Sequence, residues 1–480
     1  MRVFTNFNIL GRISLIFTIV LVLFFSCNNN STTEHATQTA FRDLDGIRER
    51  GKLVAVTDYN STNYFIYKGE PMGFHYELLE AFSKHLGLKL EIRTENDIEQ
   101  AFNLLNTGEA DIVAMGLTVN SERRDLLTFS EPLIETRQVL VQRKPEKWRS
   151  MTLDRVNSML LRNHLDLAGK VIYVQKGSSY LQRIRHLQQE IGDTIYAVEL
   201  PYEAEVLISL VAKGEIDYTI SDEHVAQVNG TYYHNIDVST PVSFTQKQAW
   251  GMRKLRSEHL AQELNTWLED YRKSGAYALA YAKYFRNSRS GIIQKSEYFT
   301  NNTGRISPWD EMIRKYSETI AWDWRLVAAL MYQESRFDPY VTSGAGAHGL
   351  MQVMPATGKH FGIDVFSSPE QNIKAGVLYL RWLDKMFEEK IPDRDERMHF
   401  VLASYNAGPG HVLDAMRLAS KNGMDSTTWF GNVEGYILKK SEPAYYKDPE
   451  VQHGRFKGVE TVKFVKDILD RYDHYRNLTR

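Results

Sequence analysis

Hydrophobic and polar residues alternate along this chain in two different patterns, and the change between them divides the sequence. Between residues 44 and 290, short apolar runs are followed by amphipathic stretches with helical spacing. Strands and helices in alternation are typical of α/β lobes with a mainly parallel sheet. The predicted strands are 53–56, 88–92 and 111–115 in a first lobe and 171–174 and 217–220 in a second. Two successive lobes predict a cleft between them, where ligands of such sheets usually bind.

The strand pattern fades after residue 290, and helical spacing replaces it. Residues 291–306 are polar and rich in Gly, Asn and Ser, which predicts a linker. Helices are predicted at 311–320, 324–333, 373–387, 398–404, 412–419 and 462–472. Residues 307–480 therefore predict an all-helical domain, and a chain of 480 residues is long enough for several domains.

The first 27 residues have the organisation of an export signal. Their apolar run, residues 13–25, would rise about 20 Å as a helix, which is shorter than a bilayer core of about 30 Å. The chain's single cysteine, Cys27, follows Ser26, and this pair resembles a bacterial lipoprotein signal. The resemblance implies a lipid on Cys27, a flexible tether over residues 28–43 and an anchor in the outer membrane facing the periplasm. A plain secretory signal with an incidental cysteine is the alternative.

The overall composition excludes some classes of function. The chain has 58 Lys and Arg against 60 Asp and Glu, a net charge of −2, so no basic excess indicates binding to nucleic acid. One cysteine cannot form an internal disulfide. No pair of histidines at helical spacing has an acidic partner, so we predict neither a metal site nor a cofactor.

The predicted helix after Asp323 contains the catalytic candidate. It is apolar almost all round, with Asp323 as a natural N-cap, and Glu334 extends its apolar face at the C-terminal end. Burial and the helix dipole both favour the protonated form of a carboxyl group there, as a general acid near neutral pH requires. The segment alone also fits an exposed glutamate at a fraying helix end.

The segments that follow Glu334 form a recognisable set. They are Ser-Gly-Ala-Gly-Ala-His-Gly-Leu-Met-Gln-Val-Met-Pro at 343–355, Asn-Ile at 372–373, Gly376 with Tyr379, and Ser-Tyr-Asn-Ala-Gly at 404–408. In this order they resemble the catalytic domain of soluble-type lytic transglycosylases, which has a lysozyme-like fold and cleaves peptidoglycan glycan strands. The resemblance implies that Glu334 is the catalytic residue. It also implies substrate-binding roles for Ser335, Gly349, Leu350, Met351, Gln352, Tyr405, Asn406 and Phe464.

The chemistry implied by this resemblance uses one carboxyl group. Glu334 would protonate the oxygen that links N-acetylmuramic acid to N-acetylglucosamine, and the muramoyl N-acetyl group would stabilise the cationic centre. Glu334 would then take the proton of the C6 hydroxyl, which closes a 1,6-anhydro ring. A hydrolytic lysozyme and a glycan-binding receptor with weak or no catalysis remain alternatives. Phe464 stands where the family has tyrosine, which removes one hydrogen bond worth about 0.5–1.5 kcal/mol.

Four segments of the α/β half also occur in a recognisable order, namely 73–78, 108–113, 116–123 and 129–132. They resemble the periplasmic solute-binding proteins that take amino acids. The resemblance implies that Arg123, beside Thr118, binds a ligand carboxylate, that Ser178 lies in a hydroxyl-bearing turn, and that Asp222 receives the amino group. A small amino-acid or muropeptide ligand is expected, with a regulatory role. The alternatives are a closed or empty cleft, and a transporter subunit that leaves about 190 residues unexplained.

The two halves together, in this order, resemble membrane-bound lytic transglycosylases in which a solute-binding domain precedes the catalytic domain. The resemblance covers residues 44–480. The expected architecture is therefore multidomain, a bilobal α/β periplasmic-binding-protein-like domain at 44–290 followed by an all-α lysozyme-like domain at 307–480.

Overall fold

The computed structural model describes residues 43–286, 296, 299 and 304–478 of the chain. It divides into two compact units, of which unit 1 is Met1–Asp58 with Glu77–Tyr281 and unit 2 is Tyr59–Tyr76 with Ala282–Arg480. The predicted signal peptide with Cys27, and the tether as far as residue 42, lie outside the described residues. In the described part of the chain, no helix is both long and apolar enough to cross a membrane.

Unit 1 is built on two mixed sheets, with strands numbered along the whole chain. The first sheet has the order β4-β1-β5-β13-β6, with β7 also paired to β13, and the second has the order β10-β9-β11-β8-β12. The strands of the first sheet are β1 (Lys52–Thr57), β4 (Lys89–Thr94), β5 (Ile112–Thr118), β6 (Leu127–Phe129), β7 (Ile134–Thr136) and β13 (Gln246–Arg253). Those of the second are β8 (Gln138–Arg143), β9 (Val171–Gln175), β10 (Tyr196–Leu200), β11 (Tyr218–Asp222) and β12 (Ile236–Pro241). The remaining two strands, β2 (Phe65–Tyr67) and β3 (Glu70–Met72), form a hairpin.

The helices of unit 1 fill the connections between these strands. They are α1 (Leu44–Arg50), α2 (Phe74–Leu86, which begins in unit 2), α3 (Ile98–Asn106), α4 (Ser121–Leu126), α5 (Leu153–Ser158), α6 (Ser179–Ile191), α7 (Ala204–Lys213), α8 (Glu223–Gly230), α9 (Glu258–Lys273) and α10 (Ala276–Tyr281). The prediction of α/β architecture is confirmed. Strands β4, β1 and β5 are parallel, as are β10, β9 and β11, whereas β13 and β8 run antiparallel to their neighbours.

Unit 2 is helical apart from the β2–β3 hairpin, which confirms the prediction of a helical second half. Its α-helices are α11 (Asp310–Glu318), α12 (Trp324–Ser335), α13 (Pro355–His360), α14 (Pro369–Phe387), α15 (Arg394–Ala407), α16 (Pro409–Lys421), α17 (Glu434–Lys439), α18 (Pro443–Tyr446) and α19 (Val459–Leu478). Helix α12 lies at the centre and packs against α11 and α19. Its residues from Leu326 to Tyr332 are all buried, so it is apolar on every side as its sequence predicts.

The β2–β3 hairpin is part of the helical unit's core. Ile66 is fully buried in the same hydrophobic cluster as α12. The carbonyl oxygen of Gly69 accepts hydrogen bonds from Arg471 at 2.9 Å and Tyr475 at 3.0 Å, and Tyr332 donates to Glu70. The predicted domain at 44–290 included this segment, whereas the structure groups residues 59–76 with the helical unit. The reason is that the hairpin's packing partners lie in the last third of the chain.

Two positions of the predicted linker at 291–306 are also core residues. Phe299 is buried, pairs with Tyr67 through an isolated bridge and packs edge-on against Phe65, with ring centroids 5.4 Å apart. Ile306 is fully buried, and its backbone N–H donates to Asp310 at 2.8 Å. The sequence did not predict their burial, because most of the residues around them are polar.

Replacing Gly69 with alanine should destabilise unit 2. Gly69 has φ +82°, and an added Cβ would lie 2.6 Å from the Tyr332 ring and 2.7 Å from the Phe337 ring. We expect the free energy of unfolding to fall by about 2–4 kcal/mol, because strain and overpacking act together. The matched control is Gly423→Ala, at φ +73° with nothing within 4 Å of the added Cβ. Denaturant unfolding that shows equal losses for both variants would contradict this role of the hairpin.

Candidate active site

Glu334 lies in the last turn of α12, and the chain leaves the helix directly after it. Asp323 caps the other end by accepting from the Arg325 backbone N–H at 3.0 Å, as predicted. Beyond Ser335, the residues Arg336 and Phe337 have φ values of +52° and +66°, so two consecutive non-glycine residues adopt the left-handed conformation. Such strained turns often occur at functional sites.

The carboxyl group of Glu334 is partly buried and has no ion-pair partner among the described residues. It makes no hydrogen bond to another described residue, and burial alone raises its pKa to about 8. Because burial disfavours the charged form, Glu334 is mostly protonated at neutral pH. A protonated carboxyl group at the edge of an apolar core is suited to general acid catalysis.

The Gly-Leu-Met-Gln segment at 349–352 is fixed against the end of α12 by backbone hydrogen bonds. The hydroxyl of Ser335 donates to the Leu350 carbonyl at 2.7 Å. From α14, buried Asn372 accepts from the Met351 N–H at 2.9 Å and donates to the His348 carbonyl at 2.8 Å. Both polar ends of the Asn372 amide are therefore used to position the segment.

Two glycines allow this close approach. Gly349 has φ +77°, and an added Cβ would lie 2.6 Å from the Asn372 amide nitrogen. On α14, one turn after Asn372, a Cβ on Gly376 would lie 2.5 Å from the Met351 sulfur. The sequence Asn372 to Gly376 is thus the docking surface for residues 349–352.

Three predicted substrate-binding residues reach the surface of this site. Tyr405 is partly exposed, and its hydroxyl donates to the Met351 carbonyl at 2.7 Å. Gln352 donates through Nε2 to the Val341 and Gly349 carbonyls, which leaves Oε1 without a partner among the described residues. Asn406 is exposed, and its Oδ1 accepts from the Thr461 hydroxyl at 2.7 Å. Its amide nitrogen has no hydrogen-bond partner among the described residues.

The structure buries the other predicted substrate-binding residues, which are Ser335, Gly349, Leu350, Met351 and Phe464. Met351 and Leu350 are fully buried in the core of unit 2, and Phe464 is 6% exposed in the same cluster. They support the surface from behind, because the close packing on α12 and α14 leaves their side chains no path outward. Asn372 and Thr461 have positioning roles that depend on partners distant in sequence, which the sequence does not identify.

Unit 1 brings three of its four predicted ligand-binding residues into one buried polar cluster. Asp222 accepts from Gln248 at 2.7 Å and from the Tyr180 hydroxyl at 2.9 Å. Burial raises the pKa of Asp222 to about 6, and electrostatic attraction to Arg123 opposes the shift. Gln248 lies opposite Thr118 in the register of β13 and β5. The cluster thus joins strands of both sheets.

The fourth predicted residue, Ser178, is turned away from this cluster. Its hydroxyl donates to the Gln175 carbonyl at 2.6 Å within its own turn. The neighbouring Ser179 instead donates to the Thr118 hydroxyl at 3.1 Å. Of the two hydroxyls in this turn, that of Ser179 is therefore the one bonded to the cluster, and the ligand-binding role of Ser178 stays a prediction.

The cleft residues satisfy one another across the two lobes, but not completely. Arg123, the residue predicted to bind a ligand carboxylate, donates to the Gly177 carbonyl at 3.1 Å and therefore already has a protein partner. In this cluster, three buried acceptors have no hydrogen-bond partner among the described residues, namely Oδ1 of Asp222 and Oε1 of Gln138 and Gln248. The sequence alone indicates neither glutamine, because each is a single polar residue directly before a short apolar run.

Within the described residues, no group of three or more His, Cys, Asp or Glu side chains could hold a metal ion.

Comparison with known proteins defines the class of this protein. The family model for bacterial extracellular solute-binding proteins, family 3, matches residues 52–287, and the transglycosylase SLT domain model matches residues 311–427. Together with the fold, these matches define a peptidoglycan lytic transglycosylase that carries a solute-binding domain. Among solved structures, holo ArgBP from T. maritima is 22% identical, with a TM-score of 0.41 over 49% of this chain and 97% of that chain.

Curated relatives identify the family. The membrane-bound lytic murein transglycosylase F of Desulfosudis oleivorans is 34% identical over 435 residues, 90% of this chain and 92% of the relative. The protein of the same name from Pseudomonas fluorescens is 29% identical over 90% of this chain and 86% of its own length. The chain belongs to the membrane-bound lytic murein transglycosylase F family.

Replacing Glu334 with glutamine should stabilise the protein in a pH-dependent way. In the unfolded chain the carboxyl group ionises near pH 4.5, whereas burial raises its pKa to about 8 in the folded protein. We expect Gln, neutral in both states, to raise the free energy of unfolding by about 1–3 kcal/mol at pH 7. The gain should be negligible near pH 4, grow with pH and level off above about pH 8.

Urea denaturation of both proteins from pH 4 to pH 9 measures this difference. The exposed Glu389→Gln is the control and should show no comparable growth. A pH-independent difference for Glu334→Gln would contradict the buried, protonated state of Glu334.

Proposed function

We propose that Glu334 cleaves the β-1,4 bond between N-acetylmuramic acid and N-acetylglucosamine by acting first as an acid and then as a base. The proposal rests on the buried carboxyl group of Glu334, whose pKa of about 8 keeps its proton available at neutral pH. Glu334 donates this proton to the bridging oxygen as the bond to the muramoyl C1 breaks. The N-acetylglucosamine end leaves with a 4-hydroxyl group.

The second half of the reaction returns the proton to Glu334. The carbonyl oxygen of the muramoyl N-acetyl group stabilises the positive charge at C1 until the C6 hydroxyl oxygen attacks. The proton of that hydroxyl passes to the Glu334 carboxylate as the new O6–C1 bond closes the 1,6-anhydro ring. No water is consumed, and the enzyme ends in its starting protonation state.

The electrostatic environment supports a mechanism with a single carboxyl group. The pKa of Glu334 is raised by burial, with no charged group contributing to the shift, whereas a second catalytic carboxylate close by would add its own repulsion. Asp338, four residues further on, is exposed and accepts from the Tyr340 N–H at 2.9 Å. Substrate-assisted glycosidases are known exceptions to the paired-carboxylate scheme.

Mass spectrometry of digested peptidoglycan tests this proposal. We expect products with 1,6-anhydro-muramoyl ends from the unmodified protein and at least a 100-fold lower rate from Glu334→Gln, because the amide cannot donate the proton. Gln333→Glu in the Glu334→Gln background is the positional control and should not restore cleavage. Products heavier by one water would instead show a hydrolase. Glycan that is bound but not cleaved would favour a glycan-binding receptor. In that case Phe464→Tyr, which restores the tyrosine of the family, is the first substitution to make.

We also propose that the cleft of unit 1 binds a small zwitterion, such as an amino acid or a short muropeptide, that regulates cleavage. Arg123 and Asp222 provide opposite charges in one buried cluster. The partnerless oxygens of Asp222, Gln138 and Gln248 favour a ligand with several N–H donors, since a buried acceptor without a donor costs about 1–3 kcal/mol. Arg123 has five N–H donors, so it can bind a ligand carboxylate while it still donates to the Gly177 carbonyl.

Thermal unfolding of the full chain with a panel of amino acids and muropeptides tests this cleft. A ligand at 100 times its dissociation constant should stabilise unit 1 by about 2.7 kcal/mol. Arg123→Ala should abolish the stabilisation, while the exposed neighbour Arg124→Ala should retain it. A ligand that stabilises the protein without changing the cleavage rate would contradict regulation, and no stabilisation by any compound would favour a closed cleft.

We further propose that the mature chain is anchored to the outer membrane through a lipid on Cys27 and faces the periplasm. The proposal is supported by Ser26-Cys27 after a short apolar run and by the term membrane-bound in the names of the relatives. The mass of the mature N-terminal peptide tests it, because an unmodified cysteine would contradict lipidation.

A further inference from the structure

Unit 2 contains an open pocket beside the catalytic site. It has a volume of about 320 Å³ and is formed by α13, the middle of α14 and the start of α16. Its lining includes Thr357, His360, Phe361, Tyr379, Trp382 and Pro409. The volume is at the small end of the range for ligand sites, so the pocket suits one ring rather than an extended segment.

A row of aromatic rings connects this pocket to Glu334. Trp382 is 39% exposed, and its ring stacks on that of Tyr379 with centroids 5.9 Å apart and planes at 19°. The Tyr379 ring in turn contacts Tyr405, with centroids 5.2 Å apart. Tyr405 is close enough to Glu334 for that carboxylate to raise its pKa, second to the effect of burial. The rings therefore lead from the pocket to Tyr405, whose hydroxyl donates to the Met351 carbonyl at 2.7 Å in the segment beside the end of α12.

The chemistry of the lining favours a neutral ligand with both apolar faces and polar edges. Exposed aromatic rings provide flat apolar surface for stacking. The side chains of Thr357 and His360 and the hydroxyl of Tyr379 make no hydrogen bond to another described residue, so they are available to a ligand. No carboxylate, ammonium or guanidinium group is among the described residues that line the pocket.

The glycan strand contains one component with these properties. Its muramoyl residues carry stem peptides with charged ends, which this lining could not neutralise. The N-acetylglucosamine residues are uncharged and combine an apolar ring face with hydroxyl and amide groups. We propose that the pocket is a distal subsite that holds an N-acetylglucosamine ring of the strand cleaved at Glu334. This inference rests on the proposed function, because it takes Glu334 as the point of cleavage.

The substitution Trp382→Ala in the full chain tests the subsite through substrate length. With glycan strands freed of stem peptides, we expect KM for long strands to rise roughly 5- to 20-fold, with kcat little changed. The shortest oligosaccharide that the protein cleaves should be unaffected, because it does not extend to the pocket. Trp382→Phe keeps an aromatic ring, so its KM for long strands should stay close to that of the unmodified protein.

Phe430→Ala provides the matched control. Phe430 is an aromatic residue of unit 2 with 43% exposure, and it packs against His399 outside the pocket lining. It should leave KM unchanged at every substrate length. Equal losses for short and long substrates in Trp382→Ala, or an effect that requires stem peptides, would overturn the proposal.

A binding measurement separates this subsite from catalysis. In the Glu334→Gln background, titration with N-acetylglucosamine oligomers by calorimetry should show weaker binding when Trp382 is also replaced, by roughly 5- to 20-fold. If the unmodified protein cleaves no glycan but this difference persists, the proposed function fails, and the pocket is a glycan-binding site without a cleavage site beside it. If cleavage proceeds and the binding difference is absent, the subsite fails alone.

Discussion

The candidate site of unit 2 depends on keeping one carboxyl group uncharged at the edge of an apolar core. Helix α12 is buried on every side, so Glu334 in its last turn loses most of its hydration without gaining an ionic partner. Had the helix continued by another turn, Glu334 would lie inside a regular element rather than at its end. The left-handed residues Arg336 and Phe337 end it at this point, and the hydroxyl of Ser335 supports the end by bonding to Leu350. The same residues that end the helix therefore leave Glu334 at the edge of the core, where burial raises its pKa.

Residues 349–352, beside the end of α12, are held in place mainly through their backbone groups. This explains why several residues of the motif are small or buried. Asn372 fixes the N–H of Met351 and the carbonyl of His348, while Gly376 provides the space for the Met351 side chain. Tyr405 bonds to the remaining polar group of Met351, its carbonyl. With the backbone fixed on three sides, the side chains left at the surface are Gln352, Tyr405 and Asn406. A surface held in this way loses little conformational entropy when it binds substrate.

Local patterns predicted the features whose causes are local. The helix predicted at 324–333 is found at Trp324–Ser335 with its predicted cap, because an apolar helical run and its N-cap depend on neighbouring residues. Strands β8 and β13 were not predicted from the sequence. Their residues Gln138 and Gln248 are polar and bond to other residues of the cleft, so they do not add to an apolar strand pattern. Met351 was expected at the glycan surface and is buried, since Gly376 on another helix decides where its side chain lies. Such outcomes depend on contacts between distant residues, which a single sequence does not reveal.

The β2–β3 hairpin shows most clearly how far apart in sequence a structural unit can be assembled. It follows β1 of the α/β unit in the chain, yet Ile66 completes the hydrophobic core around α12. The bond from Tyr332 to Glu70 joins residues 262 positions apart, and Tyr332 precedes Glu334 by only two residues on the same helix. The helix that carries Glu334 is therefore braced by a segment from the first half of the chain. A fragment beginning at the predicted boundary of residue 307 would lack Ile66 and the partners of Arg471 and Tyr475, so the boundary of the functional unit is set by packing rather than by order in the sequence.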